Sequence, residues 1–97
     1  MQAKVVTGRV DPAERDEAID IFNHFVIPAA KSHRGFEGGK LLTDASTGRF
    51  KAMMYWKSAA AMAEAEANEG FQNHLRKLAP YLDETPATEQ LEVSSID

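Results

Sequence analysis

Residues 49–56, RFKAMMYW, constrain the fold of this chain more than any other segment. As a strand, with side chains alternating between faces, it points Phe50, Ala52, Met54 and Trp56 one way and Lys51, Met53 and Tyr55 the other. Apolar groups on both faces mark a central strand of a sheet that neither side can leave simply wet. The chain has 97 residues, too few for two independent cores joined by a linker. Residues 1–97 are therefore expected to form one domain. One layer of helices can cover only one face of such a sheet, and a second copy of the chain is the economical cover for the other. A homodimer is expected.

The elements on either side agree. Residues 2–10 read as a strand, with Val5, Val6 and Val10 β-branched and an Asp-Pro pair closing it. Asp11, Pro12 and Glu14 together form a helix start: a capping carboxylate, a proline where no N–H is needed, and an acid at capping-box spacing. Ile19, Phe22, Val26 and Ala30 recur on the buried face of that helix, opposite Glu17, Asp20, His24 and Lys31. Pro28 predicts a kink, or a change to a second short segment ending near Gly35. Phe36 to Thr43 reads as a second strand in which Gly38 and Gly39 predict a bulge or a close approach. Asp44 to Gly48 is a hairpin connection leading into the strand at 49–56. Ser58 caps an alanine-rich helix, Gly70 is expected to interrupt it, and Phe71, Leu75, Leu78 and Leu82 resume its apolar stripe. After Pro86 the alternation of Glu89, Leu91 and Val93 with Gln90, Glu92 and Ser94 gives a last strand near a sheet edge. The order β-α-β-β-α-β is the ferredoxin-like α+β arrangement, two helices over one face of a four-stranded antiparallel sheet.

Composition narrows the chemistry. A hydrophobic fraction of 43% with 27% charged residues is that of an ordinary globular protein. Fifteen Asp and Glu against eleven Lys and Arg, a net charge of -4, and no basic block argue against a nucleic-acid partner. Without cysteine there is no disulfide, no thiolate nucleophile, no iron–sulfur cluster and no cysteine-bound zinc. No apolar run approaches the roughly 18 residues of a spanning helix and no signal-peptide core is visible, so no membrane association and a cytoplasmic location are expected. His24, His33 and His74 fall at no HxxxH or HxH spacing, and no carboxylate pair completes a ligand set, so no metal site is predicted. His24 shares the polar side of its helix. His33 sits on the apolar side near the helix end, where it either faces a pocket or interacts with the helix C-terminus. His74, three residues after Phe71 and four before Leu78, lies at the border of the buried stripe and is the better candidate for a base.

The stretch from Gly35 to Ser58 also resembles the antibiotic-biosynthesis monooxygenase (ABM) domains of the dimeric α+β barrel superfamily. The resemblance rests on Gly35-Phe36 after the first helix, Leu41-Leu42-x-Asp44 at the hairpin entry and Tyr55-Trp56-x-Ser58 at the end of the third strand, and it spans nearly the whole chain. It implies a pocket between sheet and helices, lined by apolar and aromatic groups with a few polar ones. Trp56 is then the first candidate for a wall against a planar aromatic or quinone-like ligand, or else a core tryptophan bracing strand against helix. Tyr55, Met53 and Met54 carry the same two readings, and Phe71 joins Tyr55, Met54 and His33 as a candidate substrate contact. His74, Trp56 and Arg76 are the candidate catalytic set, Arg76 being otherwise a solvated helix residue beside Lys77. Haem-degrading members use a first-strand Asn that this chain lacks, with a Trp and a His on the second helix; the corresponding helix stretch here is Ala63-Glu-Ala-Glu-Ala67, and His74 stands one position out of register, which argues against haem degradation. Polyketide-oxidising members carry a third-strand Asn where this chain has Ala52, so half of that pattern is missing.

Two functions are consistent with these residues. One is a monooxygenase without cofactor, acting on a small electron-rich phenol, quinol, anthrone or polyketide-like compound, whose substrate once deprotonated passes an electron to oxygen. The other is a non-catalytic homodimer, ligand-binding or stress-associated, with a small apolar pocket.

Overall fold

The computed structural model describes residues 1–97. Strands β1 (Gln2–Arg9), β2 (Phe36–Thr43), β3 (Arg49–Trp56) and β4 (Ala87–Glu92) form one antiparallel sheet in the order β2-β3-β1-β4. Helices α1 (Arg15–Ile21), α2 (Ile27–Lys31), α3 (Ala59–Glu66) and α4 (Glu69–Arg76) lie on one side. The architecture is the α+β ferredoxin-like one, with β4 at an edge beside β1. Register sorts the faces. Lys4 opposes Met54 and Val6 opposes Ala52, so these residues share the helix-covered face with Phe50 and Trp56. Val5, Met53, Tyr55, Lys40, Leu42, Glu89 and Leu91 lie on the open face.

Asp11 caps its helix start, accepting from the Ala13 amide at 2.9 Å, but the turn it opens, Pro12–Glu14, is a 3-10 turn and the α-helix proper begins at Arg15. Between α1 and α2, residues Phe22–Val26 wind as a π-helix. Pro28 supplies the reason: it has no N–H for the His24 carbonyl four residues back. The preceding turn widens, and the Ile27 amide reaches the Phe22 carbonyl five residues back. The sequence offered a kink or a second segment at Pro28, and the structure takes the second course. The predicted bulge in β2 is present as a register shift between Phe36 and Gly38. The break between α3 and α4 falls at Ala67 and Asn68 rather than at Gly70. Asn68 Oδ1 accepts from the Phe71 amide at 3.0 Å, so a side-chain cap sets the boundary and Gly70 sits inside the first turn of α4.

Phe22, Val26, Ala30, Met54, Trp56, Met62, Ala65 and Phe71 form the core between sheet and helices. The hairpin between β2 and β3 is held by Asp44, whose Oδ1 accepts from the Ser46 amide (2.9 Å), the Ser46 hydroxyl (2.8 Å) and the Thr47 amide (3.1 Å). Gly48 follows at a φ of 77°, buried, with its carbonyl accepting from Val10 N at 2.9 Å. A Cβ there would collide with the Val10 carbonyl oxygen.

Gly48→Ala is therefore expected to cost about 2–4 kcal/mol and lower Tm by roughly 10–20 °C. Gly38→Ala, also at positive φ but with nothing near its Cβ, should cost only about 1 kcal/mol. Equal melting temperatures for the two variants would refute the steric account. The hydrogen bonds from Ser46 and Thr47 hold the Asp44 carboxyl below its ordinary pKa of 3.8. A depressed folded-state pKa gives stability that is present above 3.8 and lost as pH falls through the folded value. Acid titrations followed by circular dichroism should accordingly show a shallower loss of stability below that pH in Asp44→Asn than in the wild type.

Candidate functional site

A cavity of about 300 Å³ lies between the inner sheet face and the helices. Its floor is Val6 of β1 with Ala52, Met54 and Trp56 of β3, and its roof is Phe22 and Val26 of the π-segment with Phe71 and Leu75 of α4. Small side chains make the room: Ala52 and Val6 stand opposite each other in the middle of the sheet, where larger residues would fill the gap. The lining is mostly hydrophobic; its polar side chains are Thr88 and, joined to one another at the rim, Lys4, Glu66 and Gln72. A smaller hollow of about 40 Å³ continues behind it, sharing Phe22, Phe50, Ala52, Leu78 and Leu82 as a partition.

Three of the residues singled out from sequence line the cavity. Trp56 is 1% exposed and meets Phe36 and Phe71 edge to face, with ring centroids 5.1 and 6.1 Å apart. Met54 and Phe71 are buried beside it. The others lie elsewhere, Met53 among them on the open sheet face. Tyr55 is on the open sheet face, its hydroxyl 3.5 Å from the Met53 sulfur. His33 stands edge-on behind Phe71 at 5.7 Å and does not line the cavity. His74 is half-buried but does not line the cavity; it stacks on Phe25 at 6.2 Å, with its Nδ1 buried and unpartnered. Arg76 points to solvent and donates to Asn73 Oδ1 at 2.6 Å. Parity placed Tyr55 correctly opposite Trp56; the two α4 residues fall outside the lining because Phe71 and Leu75 take its inward stripe.

Reading the sequence alone missed the charged pair at the rim. Lys4 Nζ is 2.8 Å from Glu66 Oε2, and Gln72 Nε2 donates to the Glu66 backbone carbonyl at 2.8 Å, tying the end of α3 to α4. The Lys4 side chain is 23% exposed and that of Glu66 37%, so the pair adds about 1 kcal/mol or less to stability. What the arrangement can do chemically is distinct from that: a carboxylate that can take a proton stands beside an ammonium that can hold a negative oxygen, both at the edge of an apolar chamber. A signal for each was present, since Lys4 has the inward parity of Val6 and Glu66 lies four residues after Met62. Nothing in the sequence brings β1 and α3 together. No group of three or more His, Asp or Glu side chains is placed to hold a metal ion, and no helix is long and apolar enough to cross a membrane.

The same arrangement of sheet and helices recurs in solved structures described as antibiotic biosynthesis monooxygenases. A candidate antibiotic biosynthesis monooxygenase from Caulobacter crescentus superposes with a TM-score of 0.82 at 19% identity, covering 97% of this chain and 90% of that one. Another candidate of the same description, from Nitrosomonas europaea, gives 0.80 at 12% identity over 98% and 100%. SnoaB, a cofactor-independent oxygenase from Streptomyces nogalater, gives 0.78 at 18% identity over 98% and 94%. At these identities the likeness is one of fold. No family profile matches the chain, and no curated protein matches it in sequence.

Ala52→Leu tests the chamber directly. Its added methylenes enter open apolar space, so Tm should hold or rise, while a small aromatic probe such as 1-naphthol should lose its quenching of the single tryptophan, Trp56. A destabilisation of about 1–3 kcal/mol, the usual cost of overpacking, would show the space to be closed.

Proposed function

We propose that this chain is an ABM-type monooxygenase that works without a cofactor on a small electron-rich aromatic compound, a phenol, quinol or anthrone. The observation that carries the reading is the apolar chamber walled by Trp56 with one charged pair, Lys4 and Glu66, at its rim. The shared fold with SnoaB, itself a cofactor-independent oxygenase, supports it. The ring lies against the indole, and its hydroxyl or acidic C–H reaches the rim. Glu66 takes the proton, and the ammonium of Lys4 stabilises the oxyanion that forms. The electron-rich anion passes one electron to dioxygen, the resulting pair combines as a carbon-bound peroxide, and loss of water leaves a carbonyl. For an anthrone the sum is CH₂ plus O₂ giving C=O plus H₂O, with oxygen the only oxidant. The dry walls keep the radical pair from solvent.

The open sheet face is, in the same reading, covered by a second copy, giving the homodimer. Val5, Met53 and Tyr55 are half-buried there, and Leu42 and Leu91 are 50% and 52% exposed. The scarcity of polar groups in the chamber favours a second reading, a dimer that binds small apolar ligands without turnover.

Oxygen uptake with a panel of hydroquinones, naphthols and anthrones separates the two. Glu66→Gln should slow uptake about 100-fold or more, and Lys4→Met about 10- to 100-fold, while His74→Ala stays within about twofold of wild type. Quenching of Trp56 by the panel with no oxygen uptake would assign the chain to ligand binding. Uptake abolished by His74→Ala and unaffected by Glu66→Gln would move the base to α4.

A further inference from the structure

The hollow of about 40 Å³ behind the chamber has no part in the reaction as written above. Strand β3 divides the two spaces. The chamber lies on the β1 side, over Lys4 and Val6, and the hollow on the β2 side, over Leu41 and Thr43, with Phe50 and Ala52 beneath both. Ala18 and Ile19 of α1 roof the hollow. The short side chains of Ala18 and Ala52 leave the gap, in a kind of interior that holds few of them.

Size and chemistry select the occupant. A benzene ring takes an apolar cavity of about 150 Å³, and one water needs roughly 10–15 Å³. The hollow therefore has room for a molecule of very few atoms and for no ring. Water also needs about two to four polar partners. Apart from Arg15 and Thr43 the lining is hydrophobic, and these two are bonded to each other, Arg15 Nε donating to Thr43 Oγ1 at 3.0 Å. The Arg15 Nη1 turns to Asp16 at 3.4 Å. An apolar space of this size stays dry and takes up small apolar species, xenon and dioxygen among them.

We propose that the hollow is the dioxygen site of the reaction: it holds O₂ behind the partition while a substrate ring occupies the chamber, and passes it to the ring across Ala52. The inference rests on the monooxygenase reading above and adds to it a place for the second reactant. Position agrees with chemistry. The charged rim stands toward the Met54 end of β3, opposite Lys4, and the hollow at the Phe50 end. A ring seated with its acidic group at the rim blocks that route behind it. Gas held on the other side reaches the ring without crossing the ion pair, and Ala52 is the smallest residue of the partition.

Xenon tests the site separately from the activity. Crystals of the whole chain soaked with 1-naphthol and pressurised with xenon should show an atom against Ala18, Leu41 and Phe50. Ala18→Val, whose added methyls enter the hollow from α1, should remove that atom and leave the quenching of Trp56 by 1-naphthol within about twofold of wild type. With the panel compound that best supports oxygen uptake, the same variant should raise KM for dioxygen about tenfold, while kcat at saturating oxygen and KM for the aromatic compound stay within about twofold. Circular dichroism checks folding; if Ala18→Val does not fold, Leu41→Phe fills the same space from the sheet and replaces it. An empty hollow under xenon, or a xenon atom lost in the variant with KM for dioxygen unchanged, overturns the oxygen site whatever the wild-type uptake. Xenon in the hollow of a chain that consumes no oxygen with any compound of the panel overturns the monooxygenase reading, and the oxygen site with it.

Discussion

Trp56 is the contact on which the rest of the structure hangs. It ends β3, pairs with Gln2 and Phe36 in the neighbouring strands, and is enclosed from above by Met62 and Phe71. Its edge-to-face contacts with Phe36 and Phe71 join strand to helix at one end of the domain, each adding about 0.5–1.5 kcal/mol beyond the area it buries. Ala65, with no exposure, lets α3 lie close to the sheet at the same end. The layers are thus fastened at the tryptophan and do not need bulk further along. Ala52 and Val6 can be small, and the chamber exists because the fastening lies beside it rather than through it.

That arrangement explains where polarity is tolerated. An inward lysine in the middle of the sheet would carry a charge into a dry space, a cost that only a close counter-charge offsets. Lys4 stands near the end of β1 beside the edge strand, where its ammonium reaches both Glu66 and water. The chamber is therefore apolar in depth and ionic at the rim, an arrangement that in the proposed reaction admits the ring and leaves its acidic group at the rim. The Gln72 bond to the Glu66 carbonyl fixes the end of α3, so the carboxylate is held in place by backbone and not only by its partner.

Local physics made most of the fold legible. The alternation in residues 49–56, the Asp11 and Ser58 caps and the glycine of the hairpin each act within a few residues, and each stands where the sequence puts it. One local feature falls elsewhere than expected, the break between α3 and α4, and another acts a turn earlier than its residue; both reflect competition between neighbours. Asn68 offers a side-chain acceptor that ends one helix and starts the next, outweighing the flexibility of Gly70. Pro28 acts on the turn before it, so its effect appears as the π-segment at 22–26. The site was legible only in its walls. Trp56, Met54 and Phe71 declare themselves by size and period, but Lys4 and Glu66 are 62 positions apart by number and look like solvated charges until the sheet and helix meet. His74 drew notice as a histidine at a stripe border, and the border position turned it toward Phe25.

The two faces of β3 carry different duties through one backbone. Even-numbered residues from Phe50 to Trp56 build the chamber, and odd-numbered ones from Arg49 to Tyr55 lie on the open face. A slip of one residue would send Trp56 outward and Tyr55 into the core, exchanging chamber and open face at a stroke. The register is pinned at both ends of the β2–β3 hairpin, by the Asp44 turn at one and the bulge after Phe36 at the other. The bulge has a further effect. Without the extra residue, Gly38 would stand where Gly39 now faces Ile27, and Lys40 would point into the helices. By absorbing one residue it keeps Phe36 against Trp56 while turning Lys40 to the open face. The residue that lets an inward Phe36 and an outward Lys40 coexist in one strand is therefore the bulged one, and the glycine after it, at a φ of 136°, is what the bend requires.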